Sequence, residues 1–254
     1  MQMGNRNSAR AGTADSPLRL LLLFLLVLLS PGAAWAQAIA VLPVNIRLDS
    51  GQSATALTIF NKADAATSYQ VRGFSWSQPG GSDQTDPTDG LMISPPLGTI
   101  APNATQVVRL VLRKPAESQE ESYRVFVDQI PPPAASGTVR IALRMSIPVF
   151  AEPATHVAPH VRWHVERGAQ DSVLVAVNDG SCHETIHKLS LTMPDGTPVK
   201  IENHASPYIL RGATRQWHIL LPGSPAPGTL LHLSVEGDAD SDSVDEQIPL
   251  GGNS

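Results

Sequence analysis

The sequence contains one cysteine, Cys182, in 254 residues. A single thiol cannot close an internal disulfide, so packed cores must hold the fold together. Lysine is scarce and acidic residues exceed basic ones, 23 to 18. That balance argues against a nucleic-acid or anionic-membrane partner. There is no G-x-S-x-G elbow, no glycine-rich phosphate loop and no pair of carboxylates in an apolar setting. Long hydrophobic runs are also missing. The one candidate, Leu20 to Leu29, falls well short of the ~20 residues that a spanning helix needs.

That short run has the anatomy of an export signal. Arg6, Arg10 and Arg19 precede it, and Ala34-Trp35-Ala36 follows as a small-x-small cleavage site. The expectation is removal of residues 1–36 and a mature chain with 15 basic and 22 acidic residues, with no membrane insertion afterwards. No cofactor is implied.

What is present is β-strand patterning. Val, Ile, Thr and Leu fill short runs between Gly, Pro, Asn and Asp clusters, which reads as an all-β chain. The strongest run is Thr138 to Phe150, TVRIALRMSIPVF. Val139, Ile141, Leu143, Met145, Ile147 and Val149 alternate with Arg140, Ala142, Arg144, Ser146, Pro148 and Phe150. Strict alternation places the two sets on opposite strand faces. The arginines mark the second face as one that meets water or an anion. Pro148 has no N–H and belongs at an edge, a strand end or a bulge. A long apolar strand at an exposed edge invites pairing with another chain.

Other expected strands are 39–48, 53–60, 67–76 with a bulge at Gly73, 105–112 and 122–130, with a short one in 91–97. Ser77 to Asp89 reads as a polar, mobile loop, and Thr99 to Asn103 as a corner. After a linker at 151–155 the pattern restarts, with strands near 160–165, 172–177, 187–193, 207–210, 216–221 and 230–235. The expectation is two immunoglobulin-like sandwiches, 37–152 and 153–254. The first holds 9 basic and 10 acidic residues, the second 6 and 12.

His183-Glu184-Thr185-Ile186-His187 fits the zinc-protease pattern H-E-x-x-H. That chemistry needs a helix, with both histidines on one face. Here Asn178-Asp179-Gly180 precedes the run and an alternating strand follows it. On a strand, residues four apart lie ~13 Å apart, so no metal site is expected. His156, His160 and His164 read as exposed linker and strand histidines. Cys182 reads as an inert thiol. Arg124 shares a strand face with Phe126, and an arginine held among apolar residues needs an anionic partner. Two partners fit: an internal carboxylate such as Asp128 or Glu121, or a ligand carboxylate, to which a guanidinium fork is suited.

The ordered set LTIFN (57–61), ISPPLGTIAPN (93–103), VVRL (107–110), YRVFVDQIPP (123–132), RIALRMSIPVF (140–150), VAVNDG (175–180) and YILRGATRQW (208–217) resembles the periplasmic pilus-assembly chaperones of the chaperone–usher pathway. The Ser-Ile-Pro-Val-Phe ending and the Tyr-Arg before it are most similar to the archaic, spore-coat U type branch. The resemblance implies two immunoglobulin-like domains set at an angle around a cleft, and no enzymatic activity. It also implies that strand 138–147 is lent to incomplete pilin-like subunits through Val139, Ile141, Leu143 and Met145, before delivery to an outer-membrane usher. Basic residues would hold the subunit's terminal carboxylate. Asn45 and Pro148 stand where the best-known branch has its arginine and lysine. Arg124, Arg47 and Arg144 are therefore the candidates here. The alternatives are an exported structural or adhesive protein and, behind it, a zinc hydrolase through His183 and His187.

Overall fold

The computed structural model describes residues 39–133, 137, 141–155, 158–167, 172–202, 206–238 and 243–251. The export segment and Val139 lie outside the described residues. The first set of strands is β1 (Ile39–Leu42), β2 (Ile46–Leu48), β3 (Ala54–Asn61), β4 (Thr67–Ser77), β5 (Gln84–Pro87), β6 (Leu91–Ser94), β7 (Leu97–Ile100), β8 (Thr105–Leu112), β9 (Glu121–Ile130) and β10 (Arg144–Ala151). One sheet has the order β1-β3-β8-β6; the other runs β2-β10-β9-β4-β5, with β7 also on β4. The inward-facing residues of both sheets meet in one core, including Leu57, Ile59, Tyr69, Val71, Val108, Leu110, Val125, Val127, Ile147 and Val149. Each alternates along its strand with residues on the opposite face, the arrangement of a packed sandwich.

Gly73 is no bulge. It pairs with Val125 in an unbroken β4–β9 ladder. A Cβ there would sit 3.1 Å from Ile93 Cδ1 and 3.4 Å from Leu91 Cδ2. The residue is small because the facing sheet comes close. Two further expectations are corrected. Ser77 to Asp89 carries a 3-10 turn (Pro79–Gly81) and β5, which adds to the free edge of β4. β5 is held by its backbone while its side chains are largely exposed, so it leaves no apolar alternation to read. Leu97 to Ile100 is strand β7, paired with the start of β4.

The second set is β11 (Val161–Arg167), β12 (Ser172–Asn178), β13 (Glu184–Thr185), β14 (Lys188–Thr192), β15 (Lys200–Ile201), β16 (Tyr208–Ile209), β17 (Thr214–Leu220), β18 (Leu230–Glu236) and β19 (Val244–Pro249). They form the sheets β11-β12-β17-β15 and β14-β18-β19, plus the short pair β13-β16. Their inner faces enclose a second core, with Trp163, Leu174, Leu191, Trp217, Leu231 and Leu233 among its members. Trp76 and Phe150, from β4 and β10 of the first set, also belong to this second core. The two sandwiches are thus joined by burial as well as by the chain. Among the described residues there is no α-helix.

Candidate functional site

The site is built on β10. The strand expected from Thr138 begins at Arg144 and ends at Ala151. Its register explains the difference. Arg144 sits opposite Asp128 on β9, and one further bond, Gln129 N–H to Leu143 O at 2.9 Å, closes the ladder. Continuing that register would set Ile141 against Pro131, the first of three consecutive prolines. Prolines have no N–H to offer a ladder.

The side of β10 facing away from β9 differs along its length. β2 pairs with it in parallel at Val149, Phe150 and Ala151. Over Arg144–Pro148, no strand of the described residues takes that edge. Burial follows the same division. Ile147 and Val149 are closed into the first core, Met145 packs against it in part, and Ile141 is 72% exposed. The apolar row points toward the core but runs out of cover toward its N-terminal end.

The opposite face of this sheet carries charge. Across the strands, Phe74 on β4, Arg124 on β9 and Pro148 on β10 form one row. The Arg124 side chain is 12% exposed, and its closest carboxylate among the described residues is Asp83, 4.0 Å away. That carboxylate already accepts Gln78 Nε2 at 2.8 Å and lies 3.8 Å from Arg215. The guanidinium is stacked 3.6 Å over Trp76, with Tyr208 of the second sandwich 5.6 Å away. Burial pulls its pKa below the ordinary arginine value, and Asp83 and Tyr208 only partly oppose the shift. An arginine stays ionised under such a shift. Arg124 is a charge in a half-closed place without a hydrogen-bonded counter-ion among the described residues. Neither internal partner considered from the sequence takes it: Asp128 holds Arg72 and Arg144, and Glu121 accepts the Tyr123 hydroxyl.

Behind this face lies the seam between the sandwiches. Phe150, at the end of β10, stacks on His183 with ring centroids 3.5 Å apart and planes 7° from parallel. His183 Nδ1 meets Glu120 Oε2 at 2.7 Å, and the His183 backbone N–H donates to Glu120 Oε1 at 3.0 Å. Both side chains are nearly sealed, at 3% and 1% exposure. Arg211 Nε donates to the Glu120 carbonyl. Gln78 forms a second clasp: its amide donates to Tyr208 O, and its carbonyl oxygen accepts the Leu210 N–H. Sequence reasoning missed Gln78 and Glu120. One lies in a polar loop and the other in an acidic run, and neither setting signals a buried partner.

Residues 38–156 match the N-terminal domain model of the PapD-type pili and flagellar-assembly chaperones. Residues 38–156 belong to that chaperone domain family. Solved structures agree in fold. The CsuC–CsuE chaperone–tip adhesion subunit complex of archaic Csu pili from Acinetobacter baumannii is matched at TM-score 0.61 and 20% identity, over 84% of this chain and 98% of that one. The Salmonella enterica SafA pilin–SafB chaperone complex gives 0.58 at 16%, over 83% and 96%. The E. coli chaperone DraB gives 0.54 at 19%, over 83% and 96%. No curated protein sequence matches the chain.

Within this chain the sequence-derived candidates divide. Arg47 lies beside Phe150 across the β2–β10 ladder, 3.4 Å from Glu152 and 3.9 Å from Asp238. Arg144 is bonded to Asp128. Each has a carboxylate closer than Arg124 does. The H-E-x-x-H run is committed elsewhere. Glu184 and Thr185 are the strand β13, His183 serves the seam, and His187 Nε2 pairs with Asp238 at 2.9 Å. His160 pairs with Asp179 and His164 with Glu166; His156 is outside the described residues. Cys182 is half-buried beside Glu120 and Glu184. Burial first, then those carboxylates, push its thiol pKa up to about 12, far from the range of a reactive thiolate.

Proposed function

We propose that this periplasmic, non-enzymatic chaperone captures a pilin-like subunit by adding a subunit strand to the open edge of β10, and hands it to an outer-membrane usher. The supporting observation is the division of that edge: open over Arg144–Pro148, closed by β2 from Val149 onward. An added strand must stop at Pro148, because the next position is occupied. It stops in the row that holds Arg124. A strand parallel to β10 would bring its C-terminal carboxylate to that cation, whereas an antiparallel one would bring its N-terminus, an ammonium if free. The charge therefore selects the parallel orientation. Ile141, Leu143 and Met145 offer the apolar row, continued by Val139 in the sequence pattern. Arg124 is the anchor, ahead of Arg47 and Arg144, because its charge is the least compensated of the three.

We take the domain boundary at Glu152/Pro153 and the mature start near Gln37. The expected strand donation fits the archaic branch, whose Csu chaperone shares the fold. Co-expression with a pilin-like subunit tests the reading. Wild-type protein is expected to retain the subunit through purification and Leu143→Glu to lose it while staying folded. Equal retention by the variant would remove strand addition as the mode of capture.

A further inference from the structure

Asp128 stands where a strand has little use for it. β9 is an inner strand of its sheet, between β10 and β4, and aspartate is depleted in strands because it fits a pleated, half-buried surface poorly. Its side chain is 15% exposed, and both carboxylate oxygens are taken. Arg72 Nη2 on β4 donates to Oδ2 at 2.7 Å, and Arg144 Nε on β10 donates to Oδ1 at 2.5 Å. One acid thereby ties three neighbouring strands together. The arginines also lie near aromatic rings. The Arg72 guanidinium is 5.7 Å from the Phe74 ring and the Arg144 guanidinium 5.3 Å from Phe126, and the two rings are themselves 5.3 Å apart.

The place of this tie matters more than its strength. Arg144 is the first residue of β10 and stands opposite Asp128 in the last rung of the β9–β10 ladder. One further bond, from the Gln129 N–H to Leu143 O, closes that ladder. Leu143 and the exposed Ile141 come just before this point. Ion pairs with an exposed partner add little to global stability, and Arg144 is exposed. Charge-assisted hydrogen bonds are short and directional, so what they fix is geometry.

We infer that Arg72, Asp128 and Arg144 form a clamp that positions the client-facing end of β10 and the apolar segment before it. Arg72 holds one oxygen of Asp128 and leaves the other for Arg144. Arg144 in turn sets the point and direction at which Leu143 and Ile141 leave the sheet. The inference rests on the strand-addition reading above and extends it with three positioning residues, which act through the strand rather than by contact with the client. Ordering a segment at the moment of binding costs affinity, and a segment already set on its course avoids part of that cost.

Amide hydrogen exchange followed by NMR tests the clamp without a client. The Gln129 N–H reports on the rung beside it. The Glu152 N–H, which donates to Leu48 O at 2.9 Å, reports on the closed end of the strand. Asp128→Asn is expected to speed exchange at Gln129 about tenfold and to leave Glu152 unchanged. Arg72→Gln should act in the same direction, although Arg72 lies on β4, with β9 between it and β10. Equal acceleration at Gln129 and Glu152 would make the trio a general stabiliser of the fold and overturn the inference. A wild-type rate at Gln129 in Arg72→Gln would overturn the three-residue clamp. With a co-expressed pilin-like subunit, Asp128→Asn should retain several-fold less subunit through purification than the wild type. If Leu143→Glu loses the subunit while Asp128→Asn keeps all of it, the clamp has no part in capture and strand addition stands. If Leu143→Glu also keeps it, strand addition fails and the capture role of the clamp falls with it.

Discussion

The two ends of β10 carry the same alternation and meet opposite fates. At the C-terminal end, Val149 and Phe150 are fully buried, one in each core, with β2 and β9 on either side. At the N-terminal end, the apolar row continues through Met145, Leu143 and Ile141 while cover falls away. The difference lies in the neighbours. One end has two strands and a second sandwich against it; the other has one strand, which then gives way to prolines. A β-strand built this way is paired on both sides at one end and on one side over Arg144–Pro148 among the described residues. Exposed edges are normally a liability; here the liability is limited to the segment that β2 leaves open.

The contrast can be broken by deleting side chains along the strand. Phe150→Ala removes a fully buried ring and its stack on His183. It should cost about 3–5 kcal/mol, read as a lowered midpoint in chemical denaturation. Glu120→Ala strands the buried His183 donor at the same seam. About 2–4 kcal/mol is expected, with a seam that loosens in small-angle scattering. Ile147→Ala should cost about 2–4 kcal/mol by opening a cavity in the first core. Ile141→Ala, on the same face of the same run, should stay within about 0.5 kcal/mol yet weaken subunit retention. Equal stability losses at Ile147 and Ile141 would show that the N-terminal end is not open.

The smallest effect concerns acid. Burial works to raise the Asp128 pKa, but hydrogen bonds from Arg144 and Arg72, then their charges, hold it below the usual carboxylate value. A depressed folded-state pKa stabilises the fold above the unfolded value of about 3.9, and that contribution is lost as pH falls through the lower folded value. Arg144→Ala should therefore be less stable than wild type near neutrality, and the gap should close as pH is lowered below about 3.9. A gap independent of pH would mean that Arg144 acts through packing on Phe126, over which its guanidinium lies 5.3 Å away.

Much of the fold was legible because period-2 alternation reports directly on a half-buried sheet. The stretches that became β3, β4, β8, β9, β12 and β18 were read within a few residues of their bounds. β5 and β7 were not, because a strand held by backbone bonds at an edge needs no apolar face. The start of β10 was misplaced for the converse reason. The apolar pattern persists through Ile141, but a ladder needs a partner, and Pro131 to Pro133 cannot provide one. At the site, Arg124 was legible as an arginine on an apolar strand face. Its choice between partners was not, since Asp83 lies in a stretch that read as a mobile loop. The H-E-x-x-H run shows the limit from the other side: five letters matched a pattern, while the turn before it and the strand after it decided its fate.

The sequence by itself determined the alternation, hence which side chains of each strand face a core, and it carried the family resemblance in ordered short motifs. Only the tertiary structure decided which polar residues matter. Gln78, Glu120, His183 and Tyr208 acquire their roles from the meeting of two sandwiches, across separations of 63 residues for Glu120–His183 and 130 for Gln78–Tyr208. A hydrogen bond over such a distance leaves no periodic trace in the chain. It depends on the packing of two cores, and that packing is a property of the whole fold.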